Sequence, residues 1–544
     1  MKHPFPQAAT FFTLLILNTL TAFIYNFYNE IWFLMPIRIG AAFINGLGVT
    51  LITVLTLHYI HKYLRLNLMP LVMGVSLFVL IIESFLLLNF YTLITPSIIM
   101  VMLETNKQEA SEFFASYFDI ATWVTLLLIF VTTFFFIRYR HKLNNIHFPG
   151  WFTKKAFLIP ACCFSILVYI GLTYYVTQIR HMTSYQALTG VERVYHSIRN
   201  TLKDQAEYKK YLQLVQQKEP VLTENLSRVP YVAVILGESL SKLHMNAYGY
   251  SLPTTPKLNE RLQNKETIKC DSVITPKTVT SLSIRNIMTF YEDTAELPWY
   301  RYHTLPAVMQ AAGYKTYWLS NQDSFNTGDN NSTAGIASTS SVVEFAHQRH
   351  ASEERYGYFD EDILPLLDSQ MQKVPQKAFL CLHLMGSHRR YTNRYPANFG
   401  KFGIEDIKKD ISTEKKQTIA EYDNSVLYND SIIDEIIKRF EKQDAIVFYF
   451  PDHGEEVYDT RNMCGHGLNN PSAPMREIPF LIWTSATFKE KHPKLIKRMQ
   501  SATNRPFNTT NLIHTIMDIC GIQTQDYQAE KSLLYTNKTA HSLN

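Results

Sequence analysis

Acidic and imidazole side chains follow a short apolar run near residue 450 in a pattern typical of a metal site. Residues 445–450 are apolar or aromatic, and the run stops abruptly at Pro451, Asp452, His453 and Gly454, as a buried strand does where it meets a loop. Adjacent Asp and His at such an end can direct an oxygen and a nitrogen at one point, and ligands gather at the carboxyl ends of strands in open α/β sheets. A purely structural loop can carry the same pair, so further ligands are needed to identify a metal site.

Other segments place ligand-type side chains where the same sheet edge is expected. Glu238 directly follows one predicted strand, and His388 follows another. His466 lies in a glycine-rich loop and can fold back over the Asp452–His453 pair. Oxygen ligands mixed with imidazoles favour zinc or manganese over calcium, which takes oxygen ligands alone. We therefore expect these side chains to converge on a transition metal.

The segment from Val273 to Phe290 supplies candidate nucleophiles. Its pattern predicts a strand, a turn at Pro276 and then a helix of about ten residues. A bound metal can deprotonate a hydroxyl at the start of that helix, and the free N–H groups of the helix would stabilise a phosphate attached to it. The alternative is an ordinary N-cap. On these grounds four hydroxyls compete, those of Thr275, Thr278, Thr280 and Ser281.

Strands alternate with helices after Pro230, which predicts an α/β domain with a mostly parallel sheet covered on both faces. The predicted strands are 231–236, 315–319, 378–384, 445–450 and 479–483, and the predicted helices are 281–290, 304–312, 413–442 and 511–520. Residues 326–341 are rich in Asn, Ser, Thr and Gly, and we expect them to form a loop.

The first third of the chain predicts a membrane domain. Apolar runs of spanning length cover residues 10–27, 39–61, 69–93, 120–137 and 156–176, which predicts five transmembrane helices. Lys and Arg concentrate in the N-terminal tail and in the second and fourth connections, so the N-terminus is expected in the cytoplasm. An odd number of spans then places everything after Val176 on the far side of the membrane.

The predicted domain organisation has three parts. Residues 1–177 form the five-helix transmembrane domain, 178–228 form linker helices at the membrane surface, and 229–544 form the α/β catalytic domain. Basic residues of the linker either face lipid phosphates or lie on a solvated helix face. These residues are Arg180, Arg193, Arg199 and Lys203.

Composition excludes several other classes of protein. A formal net charge of +5 over 544 residues does not indicate a nucleic-acid-binding protein. Six cysteines without CxxC spacing are too few for a disulfide scaffold and encode neither a zinc finger nor a redox motif. No functional role is assigned to His244, His303, His347 or His350.

Taken in chain order, the motifs resemble those of the phosphoethanolamine transferases of Gram-negative envelopes, which are inner-membrane members of the alkaline phosphatase and sulfatase superfamily. The motifs are Gly-Glu-Ser at 237–239, a threonine before a helix, Met-Gly-Ser-His at 385–388, Arg-Tyr-Pro at 394–396, Asp-His-Gly-Glu-Glu at 452–456 and His-Gly at 466–467. The chain looks most like the branch that modifies lipopolysaccharide core sugars, on Ile-Thr-Pro at 274–276, Ser-Asn-Gln at 320–322 and Glu-Val-Tyr-Asp-Thr at 456–460.

The resemblance implies a periplasmic domain of the alkaline phosphatase and sulfatase type on a multi-pass anchor in the bacterial inner membrane. It also implies a role for individual residues. These are Glu238, Thr280, Asp452 and His453 as zinc ligands, Thr280 as nucleophile with Thr278 as the runner-up, His388 and His466 as ligands of the phosphoryl group or of a second zinc, and Asn321 as a substrate contact.

The implied reaction is transfer of phosphoethanolamine from phosphatidylethanolamine to a lipopolysaccharide acceptor through a covalent phosphothreonine intermediate. Members that modify lipid A frame their nucleophile with cysteines, whereas this chain has Ile274 and Ile284 nearby. A core sugar is therefore the expected acceptor rather than a lipid A phosphate. The alternatives are another phosphotransferase or phosphodiesterase of the superfamily, such as a glycerol-phosphate transferase, or a non-catalytic membrane scaffold. The Cys-x-Pro-x-Arg modification motif of a sulfatase is absent from the sequence.

Overall fold

The structure is a computed structural model of the chain. It describes residues 8–23, 35–90, 93–105, 189–215, 219–322, 332–346, 359–372, 376–467 and 471–536, together with isolated positions between 110 and 167. The chain divides into two units, residues 1–205 and 206–544. The first unit is helical where it is described, and the second contains all the described strands.

The α-helices of the described residues are α1 Ala8–Phe23, α2 Met35–Leu64, α3 Met69–Phe90, α4 Pro96–Glu104, α5 Gly190–Val215, α6 Pro256–Gln263, α7 Thr280–Ile287, α8 Leu305–Ala311, α9 Ser332–Ala337, α10 Ile363–Met371, α11 Thr413–Lys438, α12 Ala473–Arg476, α13 Ala486–Lys491, α14 Pro493–Ser501 and α15 Leu512–Cys520. The strands are β1 Leu222–Asn225, β2 Tyr231–Gly237, β3 Thr267–Cys270, β4 Val273–Ile274, β5 Lys315–Ser320, β6 Val342–Phe345, β7 Ala378–His383, β8 Ala445–Pro451, β9 Glu456–Val457, β10 Cys464–Gly465, β11 Phe480–Thr484, β12 Phe507–Asn508 and β13 Ile522–Thr524.

The first three helices coincide with the first three predicted membrane spans. Segments of α2 and α3, Ala42–His61 and Met69–Leu87, are long and apolar enough to cross a membrane, and α1 contains a shorter apolar stretch, Phe11–Thr21. Apart from a few isolated positions, the predicted spans at 120–137 and 156–176 lie outside the described residues. The total of five spans therefore stays a prediction.

A buried ion pair fixes the first turn of α5 within the first unit. Arg193 Nε lies 2.7 Å from Glu83 Oε1 on α3, and a second guanidinium nitrogen lies 2.6 Å from Oε2. Both side chains are fully buried. The approach requires Gly190, because a Cβ there would lie 2.6 Å from Val79 and 2.9 Å from Glu83 Oε2. The expectation that Arg193 faces lipid or solvent is wrong, because its side chain is buried against Glu83. That partner is 110 positions away in the sequence, so the pattern of the helix itself does not reveal it.

Strand β1 lies within the linker that was predicted for residues 178–228. It pairs antiparallel with β13, which comes from the far end of the second unit. Residues 222–225 therefore belong to the strand structure of the second unit.

The central sheet of the second unit has seven strands in the order β3-β11-β8-β2-β7-β5-β6. Strands β8, β2, β7, β5 and β6 pair in parallel, and β11 runs antiparallel to both of its neighbours. All the predicted strands are present, and the two edge strands β3 and β6 are additional. Their short, partly exposed sequences lack the continuous apolar run that marks a buried strand.

Apolar layers cover both faces of this sheet, as the alternation predicts. Along β2, Val232 and Val234 face one buried cluster, and Ala233 and Ile235 face the other. The second layer is built largely on α11. The four described cysteines, Cys270, Cys381, Cys464 and Cys520, are buried and free, so the described part of this unit is held by packing rather than by disulfides.

Helix α9 lies where a loop was expected. Its residues Ile336 and Ala337 are fully buried, and Ser332 Oγ donates a hydrogen bond to the Ser281 carbonyl of α7 at 3.0 Å. Tertiary packing thus overrides a composition that favours a loop. The expectation is wrong for 332–337, and residues 326–331 lie outside the described residues.

We expect Arg193→Ala to destabilise the first unit by about 3–5 kcal/mol, because the change leaves the Glu83 carboxyl buried without its partner. Unfolding of the full chain in detergent, followed by helical circular dichroism, measures this effect. Arg199→Ala is the matched control, since Arg199 is exposed on the same helix and its loss should change stability by less than about 0.5 kcal/mol. Equal losses in the two variants would contradict the role given to the ion pair.

Candidate functional site

Parallel pairing of β2 with β8 brings the first three predicted ligands together. Gly237 at the end of β2 is opposite Pro451 at the end of β8, so Glu238 and Asp452 leave the sheet side by side. The Asp452 N–H donates to the Gly237 carbonyl at 3.1 Å. Glu238, Asp452 and His453 are all buried.

The three side chains face one point. His453 Nε2 lies 3.2 Å from Glu238 Oε1 and 3.5 Å from Asp452 Oδ2. His453 Nδ1 lies 2.9 Å from the Gly454 carbonyl oxygen and donates to it, which leaves Nε2 directed at the carboxylates. One ligand atom from each of the three residues lies within 4.8 Å of the others, so a single ion can bind all three.

The electrostatics of this cluster favour a cation. Burial raises the pKa of the Glu238 carboxyl, but the adjacent His453 outweighs burial and holds that pKa well below its ordinary value. Burial and the charge of Glu238 raise the pKa of Asp452 to about 8. Burial lowers the pKa of His453, but the two carboxylates outweigh it and raise the pKa to about 10. Two carboxylates crowded in a buried place need a positive charge between them.

A zinc ion fits this donor set. Asp452 Oδ2 is buried and makes no hydrogen bond to the described residues, which is costly unless a ligand completes the site. Two carboxylates, an imidazole nitrogen and a nearby hydroxyl are donors that zinc accepts. The residues that would hold it are Glu238, Asp452 and His453, with Thr280 as the source of the hydroxyl.

Thr280 is the first residue of α7, and its hydroxyl points at the cluster. Its Oγ1 donates to Glu238 Oε2 at 3.1 Å and lies 3.5 Å from His453 Nε2. The N-cap position belongs to Val279, which makes no side-chain cap, so Thr280 is not an ordinary capping residue.

The other candidate hydroxyls have different surroundings. Thr278 Oγ1 donates to the Gly467 carbonyl at 2.6 Å and thereby anchors the loop that carries His466. Thr275 Oγ1 donates to the Asp452 carbonyl. Ser281 Oγ is buried and makes no hydrogen bond to the described residues. Among the four, only Thr280 makes a described contact with the side chains of the cluster.

A second group of possible ligands adjoins the first. His466 Nδ1 lies 2.7 Å from Glu455 Oε2, and the His466 ring centroid is 4.1 Å from that of His453. Glu455, His453 and His466 also bring ligand atoms within 4.8 Å of one another. Tyr391 donates to the other oxygen of Glu455 at 2.8 Å. Glu455 received no role from the sequence, although its place in an Asp-His-Gly-Glu motif was a usable signal.

The loop that carries His388 packs directly on Glu238. Gly386 has φ +53°, and a Cβ there would lie 2.7 Å from the Glu238 carbonyl oxygen. The Ser387 N–H donates to that carbonyl at 3.0 Å, and Asp360 Oδ2 accepts from the Gly386 N–H at 2.8 Å. His388 itself is half-buried, with Nδ1 at 3.0 Å from the carbonyl oxygen of the next residue.

Asn321 lies at the end of β5 and is directed at Asp360 rather than at the metal cluster. Its Nδ2 donates to Asp360 Oδ1 at 2.9 Å. The next residue, Gln322, reaches the cluster instead, with Nε2 at 3.4 Å from Glu238 Oε2 and 3.3 Å from the Leu384 carbonyl oxygen. Sequence reasoning missed Gln322, although its position just beyond a strand end is the same signal that identified Glu238.

The sequence is similar to a known protein family and to known transferases. The sequence profile of the family described as Sulfatase matches residues 230–522. Phosphoethanolamine transferase EptC from Escherichia coli K12 is 26% identical over 462 residues, which cover 81% of this chain and 77% of that protein.

Two solved structures are similar in fold. The C-terminal periplasmic domain of Escherichia coli EptC in complex with zinc has a TM-score of 0.53 and 28% identity, covering 58% of this chain and 89% of that one. The integral membrane protein lipooligosaccharide phosphoethanolamine transferase A from Neisseria meningitidis has a TM-score of 0.62 at 19% identity, covering 97% of this chain and 96% of that one. The second comparison shows the fold alone, and it extends over both units of the chain.

We expect Asp452→Asn to weaken zinc binding by at least about 100-fold, because it removes a charged ligand. The zinc content of the purified full chain after dialysis against a chelator measures this. The metal-free variant should unfold at the same temperature as the metal-free parent or higher, because the change relieves the repulsion between Asp452 and Glu238. His303→Gln, outside the site, should leave zinc content unchanged. Zinc retained at the parental level in Asp452→Asn would refute the proposed ligand set.

Proposed function

Because the chain belongs to the sulfatase family and is similar over 81% of its length to a phosphoethanolamine transferase, we propose that it transfers phosphoethanolamine from phosphatidylethanolamine to a lipopolysaccharide acceptor. The observation that carries the proposal is the Thr280 hydroxyl, which lies 3.1 Å from the buried Glu238 carboxylate at the N-terminus of a helix. A similar periplasmic domain has been solved with zinc, which supports zinc as the cofactor.

Thr280 is the proposed nucleophile. A zinc ion held by Glu238, Thr280, Asp452 and His453 would supply a Lewis acid that lowers the pKa of the hydroxyl and offsets charge on the phosphoryl group. Thr280 Oγ1 attacks the phosphorus, diacylglycerol leaves, and a phosphoethanolamine–threonine ester forms. An acceptor hydroxyl then takes the group and restores Thr280.

The surroundings of Thr280 suit a bound phosphoryl group. The first N–H groups of α7 have no partner within the helix and can donate to phosphate oxygens, and the dipole of the helix favours negative charge there. His466, held by Glu455, lies beside His453 and is proposed to bind the phosphoryl oxygens together with His388 or, alternatively, to hold a second zinc.

The membrane unit fits a reaction in which donor and acceptor are both lipids. We propose a multi-pass protein of the bacterial inner membrane with a cytoplasmic N-terminus and a periplasmic catalytic domain, divided as 1–177, 178–228 and 229–544 except that β1, at 222–225, joins the catalytic domain. Two candidate spanning helices and the similarity to a full-length integral membrane relative support this arrangement.

The acceptor is proposed to be a core sugar. Ile274 and Ile284 flank the nucleophile segment where lipid A-modifying members have cysteines, and the four described cysteines of the catalytic unit are free. The test is mass spectrometry of lipopolysaccharide from cells with and without the gene. Gain of one phosphoethanolamine on a core fragment is the expected result. Gain on the lipid A fragment would show that the acceptor is lipid A and not a core sugar. Gain of glycerol phosphate, or no gain, would overturn the proposed reaction.

We expect Thr280→Ala to abolish the covalent intermediate and to lower transfer by at least about 10⁴-fold, because the nucleophile is lost. Incubation of the full chain with labelled phosphatidylethanolamine, followed by peptide mass spectrometry, locates the label.

Thr278→Val is the matched control for Thr280→Ala. It removes the bond to Gly467 but keeps the nucleophile, so it should still take up label at Thr280. Label found on Thr278 in the Thr280→Ala variant would overturn the assignment.

A further inference from the structure

A short hairpin carries two side chains of the proposed phosphoryl site on its ends. Strands β9 and β10 pair antiparallel, with Val457 opposite Cys464 and Glu456 opposite Gly465. Glu455 immediately precedes the hairpin and His466 immediately follows it. The position of the hairpin therefore determines where the Glu455–His466 pair lies relative to His453.

His244, which has no role in the reaction described above, contacts the tip of this hairpin. It is buried, with Nδ1 at 2.6 Å from Asp423 Oδ1 on α11 and Nε2 at 3.1 Å from Asp459 Oδ2 at the hairpin tip. Because both ring nitrogens face carboxylate oxygens, both bonds can be donated only by the imidazolium form.

Asp423 and Asp459 stabilise that charged form, and each of these carboxylates is held by a further donor. Tyr250 from the same segment donates to Asp423 Oδ2 at 2.7 Å, the Tyr422 ring of α11 packs edge-on at 5.0 Å, and Lys409 donates to Asp459 Oδ1 at 2.5 Å. Burial lowers the pKa of His244, but Asp423 and Asp459 outweigh it and raise the pKa to about 9.

The hairpin tip also receives bonds from two lysines: Lys409 donates to the Tyr458 carbonyl at 3.3 Å, and Lys415 of α11 donates to Asn462 Oδ1. The hairpin itself is short. Its ladder is two residues long on each strand, and Tyr458 adopts φ +58°, which is unfavourable for a residue with a Cβ. The Glu456 carboxylate accepts from the N–H groups of Asp459 and Thr460 at 2.6 and 2.8 Å, but those bonds lie within the hairpin itself. The described bonds that tie Asp459 to the rest of the domain come from His244 and Lys409.

We propose that His244 is a positioning residue of the phosphoryl-transfer site, which clamps the hairpin tip to α11 through Asp459 and Asp423 and so holds His466 in place beside His453. The reaction that this clamp serves rests on the proposed function, whereas the clamp itself does not. Glu238, Asp452 and His453 are positioned by the ends of β2 and β8 rather than by the hairpin.

The first test is His244→Gln in the full chain. Glutamine is uncharged and cannot reproduce two donated bonds in the ring geometry, so His466 loses its fixed position. We expect kcat for phosphoethanolamine transfer to fall about 10- to 100-fold with little change in the donor KM, while zinc content stays at the parental level. Loss of zinc would show a general structural role and overturn the proposal, as would unchanged kcat.

A second readout does not depend on catalysis. Cys464 is a free, buried thiol on β10, so its labelling rate by a thiol reagent, resolved by peptide mass spectrometry, reports opening of the hairpin. We expect His244→Gln to label Cys464 about tenfold faster than the parent at neutral pH, because the clamp is gone. His514→Gln is the control, since His514 is a buried histidine of the same unit whose Nδ1 accepts only from the Gln528 N–H among the described bonds.

The pH dependence of that ratio tests the charge on the clamp. Because the folded pKa of His244 is raised above its ordinary value of 6.5 to about 9, the stabilisation is fully present below about pH 6.5 and is lost as pH rises through about 9. The labelling rate of the variant divided by that of the parent cancels the thiolate fraction and should approach one above pH 9. A ratio that is flat with pH, or equal labelling in His514→Gln, would refute the clamp. A parent that labels as expected but transfers no phosphoethanolamine would refute only the proposed function.

Discussion

Two carboxylates forced together at the end of a parallel strand pair are the constraint on which this site depends. The register of β2 and β8 places Gly237 opposite Pro451, so Glu238 and Asp452 must leave the sheet at the same buried edge. In the protein alone, burial and their mutual repulsion raise the pKa of Asp452 to about 8, and the two carboxylates outweigh burial and raise the pKa of His453 to about 10, so that its positive charge opposes the repulsion. A metal ion serves the same purpose with its own charge and leaves the imidazole nitrogen free to act as a ligand. Burial destabilises the two carboxylates when no ion is bound, and the same burial strengthens their attraction to a bound cation.

Two neighbouring segments pack closely around the carboxylate cluster and fix the side chains beside it. Gly386 lets the loop of His388 approach the Glu238 backbone to a distance that no side chain would allow. Thr278 closes the other side by holding the Gly467 carbonyl, which leaves the hydroxyl two residues later as the one directed at the carboxylates. Of the three candidate threonines, Thr275 and Thr278 donate to backbone carbonyls, whereas the hydroxyl of Thr280, the proposed nucleophile, donates to the Glu238 carboxylate.

The strand ends were predictable from the sequence, because a buried strand has a continuous apolar run and parallel strands end at a common edge. That rule alone predicted that Glu238, Asp452 and His453 lie close together. It could not separate Thr278 from Thr280, since the difference lies in a hydrogen bond to a residue 189 positions away. The prediction for Arg193 failed for a similar reason. Its position depends on Glu83 in another helix and not on the amphipathic pattern of the helix that carries it.

The site has two parts that differ in how firmly the fold holds them. The metal cluster is fixed by strand pairing in the centre of a seven-stranded sheet, where both neighbouring strands would have to separate for a ligand to move. The Glu455–His466 pair lies on a two-residue ladder with a strained tip, where the local free energy of opening is much smaller. A buried histidine with a carboxylate on each side is suited to such a place, because its two bonds join the hairpin tip to α11. The division also suits the proposed reaction, in which a zinc ion would have to stay bound through every turnover, whereas the groups proposed to contact the phosphoryl oxygens would have to admit one lipid and release another.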